Sequence, residues 1–223
     1  MLSPFDQTVA FELLKEGVAH ENMGPGNALG QERGRHTRRA TFELGQRAAR
    51  KALLSLGAPD TPIGRQDDGA PVFPAGFIGS ISHTVHKGTV YAVGAASVVS
   101  AVCALGVDIE RFRTPIAGLL ERIGSAHEIT WANERDTERR TITIFSAREA
   151  LYKAFRPLYG HPMRYKETEL RWDETRGGFS ATTLLPRANL TQVESFVGVR
   201  ADTTLVVTGV AIRRGEFSEL VKS

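Results

Sequence analysis

Eighteen consecutive residues, Val90–Val107, carry no charge. A run of that length is nearly enough to cross a bilayer. It constrains the fold more than any other stretch does. Gly94, Ser97, Ser100 and Gly106 interrupt it, and it is rich in valine. Two buried strands joined by a turn at Gly94–Ser97 account for it better than a membrane helix.

The run leads into Ala104–Glu110, a strand whose far end turns acidic. Alternation along a strand puts Asp108 and Glu110 on one face and Val107 and Ile109 on the other. Upstream, Ile78–His83 reads as a strand. His86–Gly88 is the turn into a second strand over Thr89–Ala95. Beyond Gly160 the pattern predicts strands over Met163–Trp172, Gly178–Thr183, Gln192–Arg200 and Leu205–Ile212. Pro4–Gly17 reads as a short strand or helix, Gly24–Gly30 as a loop and the charged tail from Arg213 as frayed.

Two helices stand between these strands. In Phe145–Phe155, Ala147, Ala150, Leu151 and Ala154 recur at helical spacing. Ser146 fits an N-cap with Glu149 three residues on, and Pro157 marks the end or a kink. Glu149 and Lys153 stand one turn apart, the spacing of a surface ion pair. The earlier helix is basic, capped near Thr41 or before and running to about Leu56. It has a stripe of Leu44, Ala48, Ala52 and Leu56 and a charged face of Arg39, Glu43, Arg47 and Arg50. A further helix is predicted over Ile116–Ile123, with Gly124–Arg140 as a loop or exposed helix. Laying Glu43–Leu53 over Phe145–Phe155 aligns Lys51 with Lys153 and Arg47 with Glu149, a weak internal echo of two α+β halves.

Composition narrows the function. The single cysteine, Cys103, excludes an internal disulfide and a cysteine-held zinc, and suits a reducing compartment such as the cytoplasm. The N-terminus has neither the basic start nor the apolar core of a secretory signal. A net charge of +3 is too small to imply nucleic-acid binding but suits an anionic ligand or an acidic partner.

Asp108, Glu110 and Glu149 are three hard oxygen donors of the kind Mg²⁺ takes, with substrate phosphate among its remaining ligands. Arg39, Arg47, Arg65, Lys87 and Lys153 are available for such a phosphate. The competing account is a strand end meeting solvent beside an exposed helix, and spacing alone leaves both open. His83, at the end of an apolar strand, is either structural or a phosphate donor. The chain has no P-loop, no G-x-S-x-G elbow and no H-E-x-x-H helix.

G-S-I-S-H at Gly79–His83, G-V-D-I-E at Gly106–Glu110 and F-S-A-R-E-A-L-Y-K-A-F at Phe145–Phe155 occur in that order. Together they resemble the 4'-phosphopantetheinyl transferase superfamily, in its surfactin-synthetase-activating type and within that the enterobactin synthetase component D subgroup. The likeness covers roughly Arg38–Tyr159. It implies an α+β fold of two pseudo-twofold-related halves, residues 1–105 binding coenzyme A and residues 106–223 metal-binding and catalytic, with the active site in the cleft between them. It implies Asp108, Glu110 and Glu149 as the Mg²⁺ site and Glu149 and Lys153 as catalytic. Arg39, Arg47, Arg65, Ser82, His83 and Lys153 are implied as contacts to coenzyme A. The implied partner is an apo carrier protein of siderophore, nonribosomal peptide or polyketide synthesis, met by a monomer; Arg113, Arg122, Arg148 and Arg156 are either candidates for docking it or a plain solubilising surface. The alternatives are another Mg²⁺-dependent phosphoester hydrolase or nuclease, or a non-catalytic protein that binds coenzyme A or a carrier.

Overall fold

The computed structural model describes residues 1–17, 27–159, 164–184 and 192–213. The first half is built from β1 (Ala10–Gly17), α1 (Asn27–Ser55), the short β2 (Gly64–Arg65) and β3 (Pro71–Val72), β4 (Phe77–His86) and β5 (Thr89–Val98). The second is built from β6 (Val102–Arg111), α2 (Leu119–Ile123), α3 (Ala126–Glu134), α4 (Thr137–Tyr159), β7 (Thr168–Asp173), β8 (Gly178–Leu184), β9 (Gln192–Ala201) and β10 (Leu205–Arg213). The sheets are ordered β1-β5-β4 and β6-β10-β9-β8-β7, with antiparallel pairing throughout. Each half therefore repeats one scheme: a strand, a long helix, then a hairpin whose last strand pairs with the first strand of that half. The fold is of the α+β class.

Small residues under each helix set how closely helix and sheet approach. Ala48, Ala49, Ala52 and Leu53 of α1 are fully buried, as are Ala147, Ala150, Leu151 and Ala154 of α4. Gly94 of β5 lies against α1, where an added Cβ would sit 2.2 Å from the Ala49 nitrogen. Gly106 of β6 lies against α4, where it would sit 1.9 Å from the Ala150 carbonyl oxygen. Ala48, also beside Gly94, and Ala150 are the positions aligned by the internal echo.

This corrects the first reading of the uncharged run. The turn falls after Val98, and Gly94 is inside a strand, where a glycine also marks close backbone approach. The hairpin turn is at Lys87 and Gly88, both with positive φ, the geometry of a two-residue type I′ turn. α1 begins well before Thr41, and the helix after Ile116 starts only at Leu119. Gly24–Gly26, residues 160–163 and the tail beyond Arg213 lie outside the described residues, while 27–30 belong to α1 rather than to a loop. The stretch before Phe145 folds as α3 and the first turns of α4, so Ser146 is interior to a helix and caps nothing. Pro157 stands in the last turn of α4.

β4 runs along β6, where the two halves meet. Ser80 Oγ accepts the Val107 N–H at 3.0 Å across that boundary. Val93, Ala95, Leu105, Val107, Ile109 and Val207 fill the core beneath it. Among the described residues no helix is long and apolar enough to cross a membrane.

Replacing Gly106 by Ala is expected to destabilise the protein by about 3 kcal/mol or more, since backbone rather than a flexible side chain blocks the new methyl. Gly17→Ala, with nothing within 4 Å, should change stability by less than about 0.5 kcal/mol. Urea unfolding of the two variants checks the contrast.

Candidate functional site

Asp108 of β6 is only 4% exposed, so its carboxylate needs donors from the protein. It finds three. Ser82 Oγ of β4 donates to Oδ1 at 2.8 Å, Lys153 Nζ of α4 to the same oxygen at 2.7 Å, and Ser146 Oγ of α4 to Oδ2 at 2.9 Å. Ser146 Oγ is also 2.9 Å from Thr208 Oγ1 of β10, and Lys153 Nζ donates to the Val107 carbonyl at 3.1 Å. Two strands from one half, a strand from the other and a helix thus meet at one charge.

Glu149 and Glu110 flank it with fewer partners. Glu149 Oε1 accepts the Tyr165 hydroxyl at 3.1 Å. Arg113 reaches only to within 4.0 Å of Glu110. Burial, and then the charge of Asp108, push the Glu110 carboxyl up to about 7, with Arg113 and Lys153 opposing. The same two causes raise Glu149, with the Tyr165 hydrogen bond opposing. Burial and the neighbouring Glu149 raise the Tyr165 phenol, which therefore stays protonated and donates. His83, on β4, is exposed. Burial and the Lys153 ammonium lower its pKa.

The structure thus brings Asp108, Glu110, Glu149, Lys153, Ser82 and His83 into one neighbourhood. Lys153 pairs with Asp108 rather than with the carboxylate one turn before it. The basic candidates Arg39, Arg47 and Arg65 find partners outside the cluster. Arg47 binds Glu16 of β1 at 2.5 Å, and β1 is the sheet edge opposite β4. Arg39 pairs with Glu43 on the exposed face of α1. Arg65 lies over the Phe42 ring and donates to the Gly69 carbonyl. Arg148 is a correction: at 2% exposure it is no docking residue, and its guanidinium is bound to the buried Glu128.

The donor set suits a divalent cation in chemistry without forming a ready cage. Three donors take three of the roughly four lone-pair positions of Asp108, which leaves one on Oδ2. Glu110 and Glu149 are carboxylates whose charge the protein leaves poorly matched. Yet among the described residues no three His, Cys, Asp or Glu side chains are grouped as ligands would be. Mg²⁺ tolerates that arrangement, since it keeps waters and takes substrate phosphate oxygens alongside one or two carboxylates.

Ser146 and Tyr165 escaped the sequence reading. Ser146, Glu149 and Lys153 follow i, i+3, i+7 spacing, a polar stripe on one helix face that did announce Ser146. Nothing in the sequence announced Tyr165.

Sequence comparison places these elements in a known context. Residues 31–95 match the model of the 4'-phosphopantetheinyl transferase N-terminal domain, and residues 104–208 that of the 4'-phosphopantetheinyl transferase superfamily. The chain is 32% identical over 171 residues to the 4'-phosphopantetheinyl transferase Svp of Streptomyces mobaraensis, covering 74% of this chain and 68% of the relative. It is 29% identical over 157 residues to Npt of Nocardia iowensis, covering 67% and 69% of the two chains. It is 30% identical over 152 residues to PptT of Mycobacterium tuberculosis, covering 64% and 62%.

The raised carboxyls predict a pH-dependent cost. Unfolded, Glu110 titrates near 4.5; folded, it titrates near 7. Between those values the folded state holds a proton the unfolded chain has lost, so this contribution to stability is full below 4.5 and is lost as pH rises to 7 and above. In metal-free protein, Glu110→Gln should therefore gain stability over wild type on going from pH 5 to pH 8, by about 3 kcal/mol at most. Parallel urea-unfolding curves at the two pH values would contradict it.

Proposed function

We infer the reaction from the family to which this chain belongs, the 4'-phosphopantetheinyl transferase superfamily. The enzyme transfers the 4'-phosphopantetheine arm of coenzyme A to a serine of a carrier protein. The serine oxygen forms a bond to the phosphorus that bears the pantetheine arm. The bond from that phosphorus to the bridging oxygen breaks, and 3',5'-ADP leaves.

Glu149 takes the serine proton in this reading. Its raised pKa supports the role, because a base works best when its pKa approaches the working pH. Lys153 carries the positive charge beside the reacting phosphate, and its hold on Asp108 and the Val107 carbonyl keeps the ammonium in place. Such fixed charge needs little reorganisation when charge moves in the transition state. Asp108, Glu110 and Glu149 would hold Mg²⁺, which supplies neutralisation of the pyrophosphate charge when bound. His83 and Ser82 contact coenzyme A from β4. Arg39, Arg47 and Arg65 lie on exposed surface, and the ion pairs of Arg39 and Arg47 are solvent-screened, so a coenzyme phosphate can compete for them. This assigns coenzyme binding to residues 1–105 and metal binding and catalysis to residues 106–223. The carrier belongs to siderophore, nonribosomal peptide or polyketide synthesis, and the enzyme works in the cytoplasm.

The observation that carries the site assignment is the meeting of Lys153 and Ser146 of α4 with Asp108 of β6 and Ser82 of β4 where the halves join. Incubation with coenzyme A, Mg²⁺ and an apo carrier, read by intact mass, tests it. Glu149→Gln should fold normally and slow the mass gain by about a hundredfold or more. A variant that loads the carrier at the wild-type rate removes Glu149 from the reaction.

A further inference from the structure

Arg148 and Glu149 are neighbours on α4 that do opposite things. Glu149 faces the carboxylate cluster, and Arg148 turns into the core. Both oxygens of Glu128 accept from Arg148 Nη2, at 2.8 and 2.7 Å, and the two side chains are 1% and 2% exposed. Glu128 also accepts the Ser125 N–H, completing the capping box of α3, and the Leu170 N–H at the start of β7, each at 2.8 Å. Arg148 Nη1 donates to the carbonyls of Tyr165 and Thr168. The buried pair therefore clamps the turn Tyr165–Glu167 against α4. From that clamped backbone the Tyr165 side chain reaches back to α4 and gives its hydroxyl to Glu149 Oε1 at 3.1 Å.

The loop of contacts closes on the residue next to where it began. Replacing a buried ion pair by well-packed apolar residues is often neutral or stabilising, so such a pair is weak evidence of a role in stability. Tyr165 as a whole is 37% exposed. What the arrangement does hold is the Tyr165 hydroxyl against one oxygen of one carboxylate.

We propose that Tyr165 is a positioning residue for the transfer reaction: held by the Glu128–Arg148 pair, its hydroxyl occupies Oε1 of Glu149 and orients the second oxygen toward the attacking serine. This rests on Glu149 acting as the proton acceptor. The phenol keeps its proton throughout and touches neither substrate. Its contribution is to limit the rotation of a side chain that has three torsions to spend.

Tyr165→Phe removes the hydroxyl and keeps the ring, so the fold should be unchanged. Steady-state kinetics with coenzyme A, Mg²⁺ and an apo carrier should show kcat reduced between about tenfold and a hundredfold, the size of one hydrogen bond to a charged acceptor. KM for coenzyme A and for the carrier should hold, and so should the thermal midpoint. Unchanged kcat in Tyr165→Phe overturns the proposal, as does a rise in KM for coenzyme A with kcat held. Running Glu149→Gln beside it separates the two readings. Activity lost in Glu149→Gln but full in Tyr165→Phe defeats only the positioning role, whereas activity retained in Glu149→Gln defeats the assignment of the base itself.

Discussion

The carboxylate of Asp108 is the point on which the rest of the site depends. A charge this buried is tolerated only if the protein supplies donors, and the donors come from β4 and α4, with β10 one hydrogen bond further on. Supplying them fixes where the first half lies against the second. It also fixes the turn of α4 that carries Glu149 and Lys153. The residue proposed above as a ligand of the cation is thus also the one that registers the two halves. One lone-pair position left over on Oδ2 is the margin between those two duties.

Two groups of acidic residues in this chain show the difference between structural and functional charge. Glu128 is completely buried, yet two Arg148 contacts and two backbone N–H groups satisfy it. Glu110 and Glu149 are less buried and worse served, and their pKa values rise in consequence. Protein that could have neutralised them does not. These two carboxylates are the charges that the proposed cation would neutralise. The Glu128–Arg148 pair, by contrast, works through what it holds still.

Much of this was legible in the sequence because two periods carry it. Alternation in Val107–Glu110 correctly divides Val107 and Ile109, which enter the core, from Asp108 on the other face. Three of the four strands predicted after Gly160 also fall close to their places, while the first begins only at Thr168, after a helical turn over Tyr165–Glu167. What failed were several inferences from one residue type read without its surroundings. Gly94 looks like a turn because glycine usually is one, but here the backbone of α1 needs the space. Ser146 looks like a cap because Glu149 follows it three residues on, but α4 already runs from Thr137. Arg148 looks like a docking charge because arginine is rarely buried, and only the fold reveals that Glu128 lies opposite it. Tyr165 reaches Glu149 across a chain reversal that no local pattern encodes.

The direct test of the account is to locate the cation. Crystals of the enzyme grown with coenzyme A and Mn²⁺, a scatterer that can stand for Mg²⁺, would reveal the metal by its anomalous signal. The account predicts a single strong peak at direct-coordination distance, about 2.0–2.3 Å, from Asp108 Oδ2 and from carboxylate oxygens of Glu110 and Glu149. A peak bound only by coenzyme phosphates or by other side chains, with Asp108 and its three donors undisturbed, would contradict it.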